Sequence, residues 1–160
     1  MLKALKKKRT KASGGRFAIV ASKYNSRYVE GMLRAAQAEL KRARAETIEV
    51  FRVPGAYEVP VVATTLAGRS SPRFSAIICL GVILRGATSH ADHIGRAVSD
   101  ALMRIQLQHE IPVIHEVLLL ENEAQARARC LAKKFNRGTE AAQTAVEMAG
   151  VMEKLKMSSY

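Results

Sequence analysis

Ala76-Ile77-Ile78-Cys79-Leu80-Gly81-Val82-Ile83 carries no charge, and the chain then turns polar and rich in small residues through Leu84-Arg85-Gly86-Ala87-Thr88-Ser89-His90. A short unbroken apolar run bounded by turn residues reads as a strand buried on both faces, the condition of a parallel sheet covered by helices on either side. A helix is expected from about Ser89 to His109. The same alternation recurs on both sides of this stretch. Upstream, Phe17-Ala18-Ile19-Val20-Ala21 is a second buried strand, ending in Ser22-Lys23-Tyr24-Asn25-Ser26, whose Asn and Ser are placed to cap the next helix. Tyr28 to Arg44 then carries Val29, Met32, Leu33, Ala36 and Leu40 at helical spacing. Thr47 to Val53 alternates as a strand stopped by Pro54-Gly55, and Glu58 to Leu66 is a short helix with Pro60 in its first turn. Downstream, Pro112 to Leu119 is a strand. Two helices, from about Glu121 to Lys134 and from Thr139 to Leu155, are split by Asn136-Arg137-Gly138. Strand and helix in alternation predict parallel strands joined by right-handed crossovers. The fold class is α/β, a three-layer αβα sandwich around a parallel four-stranded sheet.

Composition narrows the function classes. The chain has 160 residues, 48% hydrophobic and 25% charged, which suits one soluble domain with a real core. No apolar run approaches the roughly 20 residues that span a bilayer, so no membrane partner is expected. The two cysteines, Cys79 and Cys130, sit in apolar segments and read as free thiols, which fits a reducing cytoplasm. The net charge of +12 is unevenly placed. Residues 1–16 contribute Lys3, Lys6, Lys7, Lys8, Arg9, Lys11 and Arg16 with no acidic residue. Residues 1–15 are therefore expected to be a disordered basic arm and 16–156 the folded domain. The arm lacks the apolar core of a secretory signal. It is the one feature through which nucleic acid could bind, by phosphate neutralisation.

In a parallel α/β sheet ligands bind outside the carboxyl ends of the strands, and four such ends carry the candidate chemistry. Tyr24 follows the first strand, where an aromatic ring either stacks on a flat heterocycle or packs on the next helix. After the second strand, Pro54-Gly55 exposes backbone amides before Ala56, Tyr57 and Glu58. Glu58 in a first helical turn either meets the helix dipole or accepts hydrogen bonds from substrate hydroxyls. After the third, Gly86-Ala87-Thr88 opens a helix with amides and a hydroxyl suited to a phosphate. Neither a Walker loop nor a dinucleotide fingerprint is present. His90, within one turn of that anion site, is placed to shuttle protons. His90, Asp92 and His93 are metal-ligand types, yet residues two apart diverge on a helix and no fourth ligand completes a set, so no metal is expected. After the fourth strand, Arg129 and Arg137 are candidates for bidentate phosphate contact. His115, inside an apolar strand, reads on its own as a hydrogen-bonded core residue.

The segments VASKYN, VPGAYEVP, GVILRGATSHADHI, QARAR and NRGTEAA, in this order from about Phe17 to Leu155, resemble the 6,7-dimethyl-8-ribityllumazine synthase family. The resemblance implies a flavodoxin-like fold and the condensation of 5-amino-6-ribitylamino-2,4(1H,3H)-pyrimidinedione with 3,4-dihydroxy-2-butanone 4-phosphate, the penultimate step of riboflavin biosynthesis. It implies no cofactor. Tyr24 matches the family's stacking aromatic, usually Phe; Ala56, Tyr57 and Glu58 match the turn that holds the ribityl chain. Val82 and Ile83 match the backbone that reads the pyrimidinedione edge. Gly86, Ala87 and Thr88 match the phosphate-side loop, His90 the proton-transfer residue and Arg129 the phosphate-binding Arg. His115 stands where the family generally offers Phe from a neighbouring subunit, and Arg137 where Lys is common. Glu116 to Asn122 departs from the usual Gly-Val-x-Thr pattern. The implied partners are the small-molecule substrates, further copies of the chain in a homo-oligomer (a pentamer or multiples of it, up to an icosahedral shell), and riboflavin synthase. Two other readings stay open on the residues: a weakly catalytic flavin- or lumazine-binding homologue, from Tyr24 and His115, and an RNA-binding protein, from the basic arm.

Overall fold

Four strands form one parallel sheet in the computed structural model, which describes residues 14–158. They are β1 (Arg16–Ser22), β2 (Thr47–Val53), β3 (Ala76–Leu84) and β4 (Val113–Leu120), in the order β2-β1-β3-β4. All three neighbouring pairs are parallel. Five α-helices connect and follow them: α1 (Ser26–Arg42), α2 (Val59–Ala67), α3 (His90–His109), α4 (Glu123–Cys130) and α5 (Arg137–Met157). This is the strand order of a flavodoxin-like sheet, in which the chain reverses its direction of travel between β1 and β3.

The apolar strands work because successive side chains face opposite sides. Phe17, Ile19 and Ala21 of β1, with Ile78 and Leu80 of β3, pack under α1, α4 and α5. Ala18 and Val20, with Ile77 and Cys79, pack under α2 and α3. The central strands β1 and β3 thus serve both layers, which is why their sequences lack polar alternation. Cys79 and Cys130 are buried free thiols, as expected. Burial pushes the Cys79 thiol far above neutrality. Among the described residues no helix is long and apolar enough to cross a membrane. The basic arm expected over residues 1–15 falls, for residues 1–13, outside the described residues.

Three local outcomes differ from the expectations. Asn25 precedes α1 in the left-handed region (φ 54°) and makes no side-chain cap. Its Nδ2 instead donates to the Val82 carbonyl at 2.7 Å, tying the end of β1 to the end of β3. Helix α4 stops at Cys130, four residues short of Lys134. The Cys130 carbonyl accepts from Asn136 Nδ2 at 2.8 Å, while Asn136 Oδ1 accepts from Gly138 N–H at 2.9 Å and opens α5 at Arg137. A short 3-10 turn, Ala56–Glu58, precedes α2.

Two glycines let the α1–α4–α5 layer close. A Cβ on Gly31 of α1 would run into the Cys130 carbonyl oxygen, and one on Gly138 of α5 into the Met32 carbonyl oxygen. Backbone meets backbone at both positions, so no side chain can yield.

Candidate active site

A cleft of about 820 Å³ opens at the carboxyl end of the sheet, over the point where the strand order reverses. Its walls come from the segments at the ends of β1, β2 and β3 and from the start of α3. Tyr24 and Asn25 follow β1, and Gly55 to Glu58 follow β2. Val82, Ile83 and Leu84 end β3, and Gly86, Thr88 and the first turns of α3 close the other side.

The β1 and β2 loops are bound to each other. Lys23 and Tyr24 N–H groups donate to the Pro54 carbonyl at 3.2 and 3.0 Å. Tyr24 and Tyr57 stand at the rim, 75% and 64% exposed, with their rings free to meet a ligand or a second chain. Glu58 does what its place in the first turn requires. Its Oε2 accepts from Gly55 N–H at 2.8 Å and closes the 3-10 turn. A carboxylate has acceptor capacity beyond one such bond, so the turn leaves Glu58 able to receive a hydroxyl from the cleft it lines.

The loop from Gly86 to Ser89 is exposed and held at both ends by Arg85. Arg85 N–H donates to the Leu120 carbonyl at 2.8 Å. Its guanidinium grips Asp92 in bidentate fashion at 2.6 and 2.8 Å and reaches Glu121 Oε1 at 3.0 Å. Arg85 in turn holds the Asp92 carboxyl below the usual carboxylate range. Asp92 is thereby committed to Arg85. Among the described residues no three His, Cys, Asp or Glu side chains gather as a metal site. The Ser89 carbonyl receives the Asp92 and His93 N–H groups at 3.1 and 3.2 Å. The first amides of a helix have no partner within it and are open to an anion, and His90 and Ala91 line the cleft with Gly86 and Thr88. A Cβ on Gly86 would meet nothing within 4 Å, so nothing within the chain requires glycine there.

Of the sequence-predicted site residues, Tyr24, Ala56, Tyr57, Glu58, Val82, Ile83, Gly86, Thr88 and His90 line this cleft. Ala87 lies in the exposed loop between two of them. Three do not line it. His115 sits on β4 with Nε2 2.8 Å from Ser99 Oγ of α3. Arg137 opens α5 on the opposite layer, its Nε 3.1 Å from the buried Glu116 and its Nη1 2.5 Å from Glu140. Arg129 is exposed on α4. Arg129 and Arg137 share one neighbourhood. The Cys130 thiol between them is pushed up to about 11 by burial, then by Glu116, against the pull of both arginines.

Asn25, His93, Ile94 and Ala97 also line the cleft, although the sequence motifs give none of them a substrate-binding role. The last three follow His90 at steps of three, four and seven, the spacing of a single helical face, so their signal is present once α3 is placed.

An open parallel sheet with a deep cleft over its switch point, walled by an anion-ready helix start and an imidazole, defines a small-molecule enzyme of flavodoxin-like fold. A family model described as 6,7-dimethyl-8-ribityllumazine synthase matches residues 14–153. The 6,7-dimethyl-8-ribityllumazine synthase of Desulfotalea psychrophila is 39% identical over 148 residues, covering 91% of this chain and 94% of the relative. That of Clostridium kluyveri is 37% identical over 147 residues, with the same coverage of 91% and 94%. The chain belongs to the 6,7-dimethyl-8-ribityllumazine synthase family.

Proposed function

We propose that this protein condenses 5-amino-6-ribitylamino-2,4(1H,3H)-pyrimidinedione with 3,4-dihydroxy-2-butanone 4-phosphate to give 6,7-dimethyl-8-ribityllumazine, phosphate and water. The amine adds to the ketone and loses water to form a Schiff base; loss of a proton and of phosphate leaves an enol, which tautomerises to a carbonyl, and the ribitylamino nitrogen closes on that carbonyl with loss of a second water. Amine and ketone react without covalent help, so the protein's task is to hold them together and move protons. In this reading the amides of Gly86, Ala87 and Thr88 hold the phosphate and His90 carries protons beside it. Glu58 with Ala56 and Tyr57 receives the ribityl chain, Val82 and Ile83 read the pyrimidinedione edge, and Tyr24 stacks on the ring. No metal, flavin or nucleotide is needed for these steps.

Arg129, Arg137 and His115 act on the cleft of a neighbouring copy, Arg129 on its phosphate, Arg137 on its substrate and His115 over the heterocycle. Their distance from the chain's own cleft supports a homo-oligomer, a pentamer or multiples of it, whose sites are shared. Association with riboflavin synthase, which consumes a lumazine, and a cytoplasmic setting complete the reading; the two unpaired buried thiols favour the latter.

One observation supports this function above the rest: residues from three separate strand ends, assigned by resemblance to three parts of the substrates, line one cleft. Mixing the purified protein with both substrates should release phosphate and produce lumazine absorbance in equal amounts. Tight lumazine binding without either signal would favour the weakly catalytic homologue instead.

A further inference from the structure

His115 occupies the outermost strand of the sheet, and both nitrogens of its ring are engaged inside the chain. Val117 N–H donates to Nδ1 at 3.2 Å. Nε2 lies 2.8 Å from Ser99 Oγ, and that hydroxyl donates to the Gly95 carbonyl at 2.7 Å. A serine hydroxyl has one proton. With it committed to Gly95, Ser99 Oγ accepts, so Nε2 carries the ring proton and Nδ1, which accepts from Val117, carries none. The three bonds specify one neutral tautomer in one orientation.

We propose that Ser99 is a positioning residue that locks His115 as a neutral, fixed plate, so that an imidazole here does the work of the phenyl ring expected at this position. The proposal rests on the function above, in which His115 covers the heterocycle in a neighbouring cleft. A neutral flat ring with both edge nitrogens satisfied offers its face to stacking. An imidazolium would set Nδ1–H against Val117 N–H, donor to donor, and would have to swing out of the lock. Desolvation by the surrounding strand and helix acts in the same direction and holds the ring's pKa below its ordinary value. The ionisable neighbours on the packing elements are few. Cys79 of β3, opposite His115 in register, is buried. Arg96 and Asp100 of α3 flank Ser99 and are exposed. Glu116 faces the other layer and is bound by Arg137.

Ser99 is exposed on a helix, where Ala is well tolerated, so Ser99→Ala should fold normally. In the full-length protein, NMR titration of the His115 ring should show Ser99→Ala raising its midpoint and mixing its tautomers. KM for the pyrimidinedione should rise about fivefold, the worth of one hydrogen bond, with kcat nearly unchanged. The acid-side limb of the kcat/KM profile should move to higher pH in step with the ring. Ser99→Thr should return all of these toward the parent. His115→Phe should remove the share of the acid limb that moves with residue 99 and make residue 99 irrelevant, so that the double variant matches His115→Phe alone. An unchanged His115 midpoint in Ser99→Ala, or a Ser99→Ala effect on KM that persists when combined with His115→Phe, overturns the proposal. Failure of the parent protein to make lumazine would overturn the proposed reaction instead. The tautomer and midpoint measurements need no substrate and decide the lock separately.

Discussion

His90 is the first residue of a twenty-residue helix, exposed, and placed in the wall of the cleft. Its proposed work is proton transfer in a reaction whose partners combine unaided once held together, so its loss should slow turnover without ending it. His90→Ala should lower kcat by about 10²-fold with little change in KM, measured by steady-state lumazine formation. Complete loss with intact substrate binding would contradict that division of labour. Gly86 makes the opposite kind of test. A Cβ there meets nothing within the chain, so Gly86→Ala should leave unfolding free energy within about 0.5 kcal/mol of the parent. KM for the phosphate-bearing ketone should nonetheless rise, because the methyl enters the space beside the amides. Most cleft residues were legible because each sits just past a strand, where position alone implies access to ligand. Asn25 was not. An Asn between a strand and a helix reads as a cap, and only the folded sheet shows the Val82 carbonyl that takes its amide instead.

Among the elements, the doubly buried strands were the easiest to read, since an apolar run in β1 or β3 has no other economical place in a protein of this size. Their order was not legible, because hydrophobicity reports burial and not which neighbour supplies it. The end of α4 was hidden for a related reason. Leu131 to Lys134 would continue a helix on propensity, but Asn136 folds back on the Cys130 carbonyl, and the layer closes through Gly31 and Gly138. That closure makes a stability prediction. Gly138→Ala forces backbone of α5 away from backbone of α1 and should cost about 3 kcal/mol, read as a lower urea midpoint at unchanged m. Gly150, in the same helix, has open space around its missing Cβ. Gly150→Ala should stabilise by up to about 1 kcal/mol through helix propensity alone. If both substitutions cost the same, close packing at Gly138 is not what the glycine serves.

For the whole molecule, the proposed site residues divide into two groups that one chain does not bring together. The cleft group surrounds the switch point, whereas Arg129 and Arg137 lie by the α4–α5 corner and His115 on the edge strand β4. Beyond the resemblance at His115, which points to a neighbouring subunit, the sequence carries no sign of this division, since order along a chain does not say which copy's cleft a side chain reaches. The division predicts that activity belongs to the assembly, and subunit mixing tests it. In the proposed reading His90→Ala damages the cleft and Arg129→Ala the group that reaches the neighbour, so each variant's homo-oligomer should be impaired at every site. Equal amounts dissociated and reassembled together in a closed ring should pair an intact cleft with an intact Arg129 at about a quarter of the sites. The mixture should then recover about a quarter of the parent activity, well above either variant, while the same proteins mixed without dissociation should show only their average. A reassembled mixture that also stays at the average would mean that each chain completes its own site, and the shared-cleft reading of Arg129 would fall.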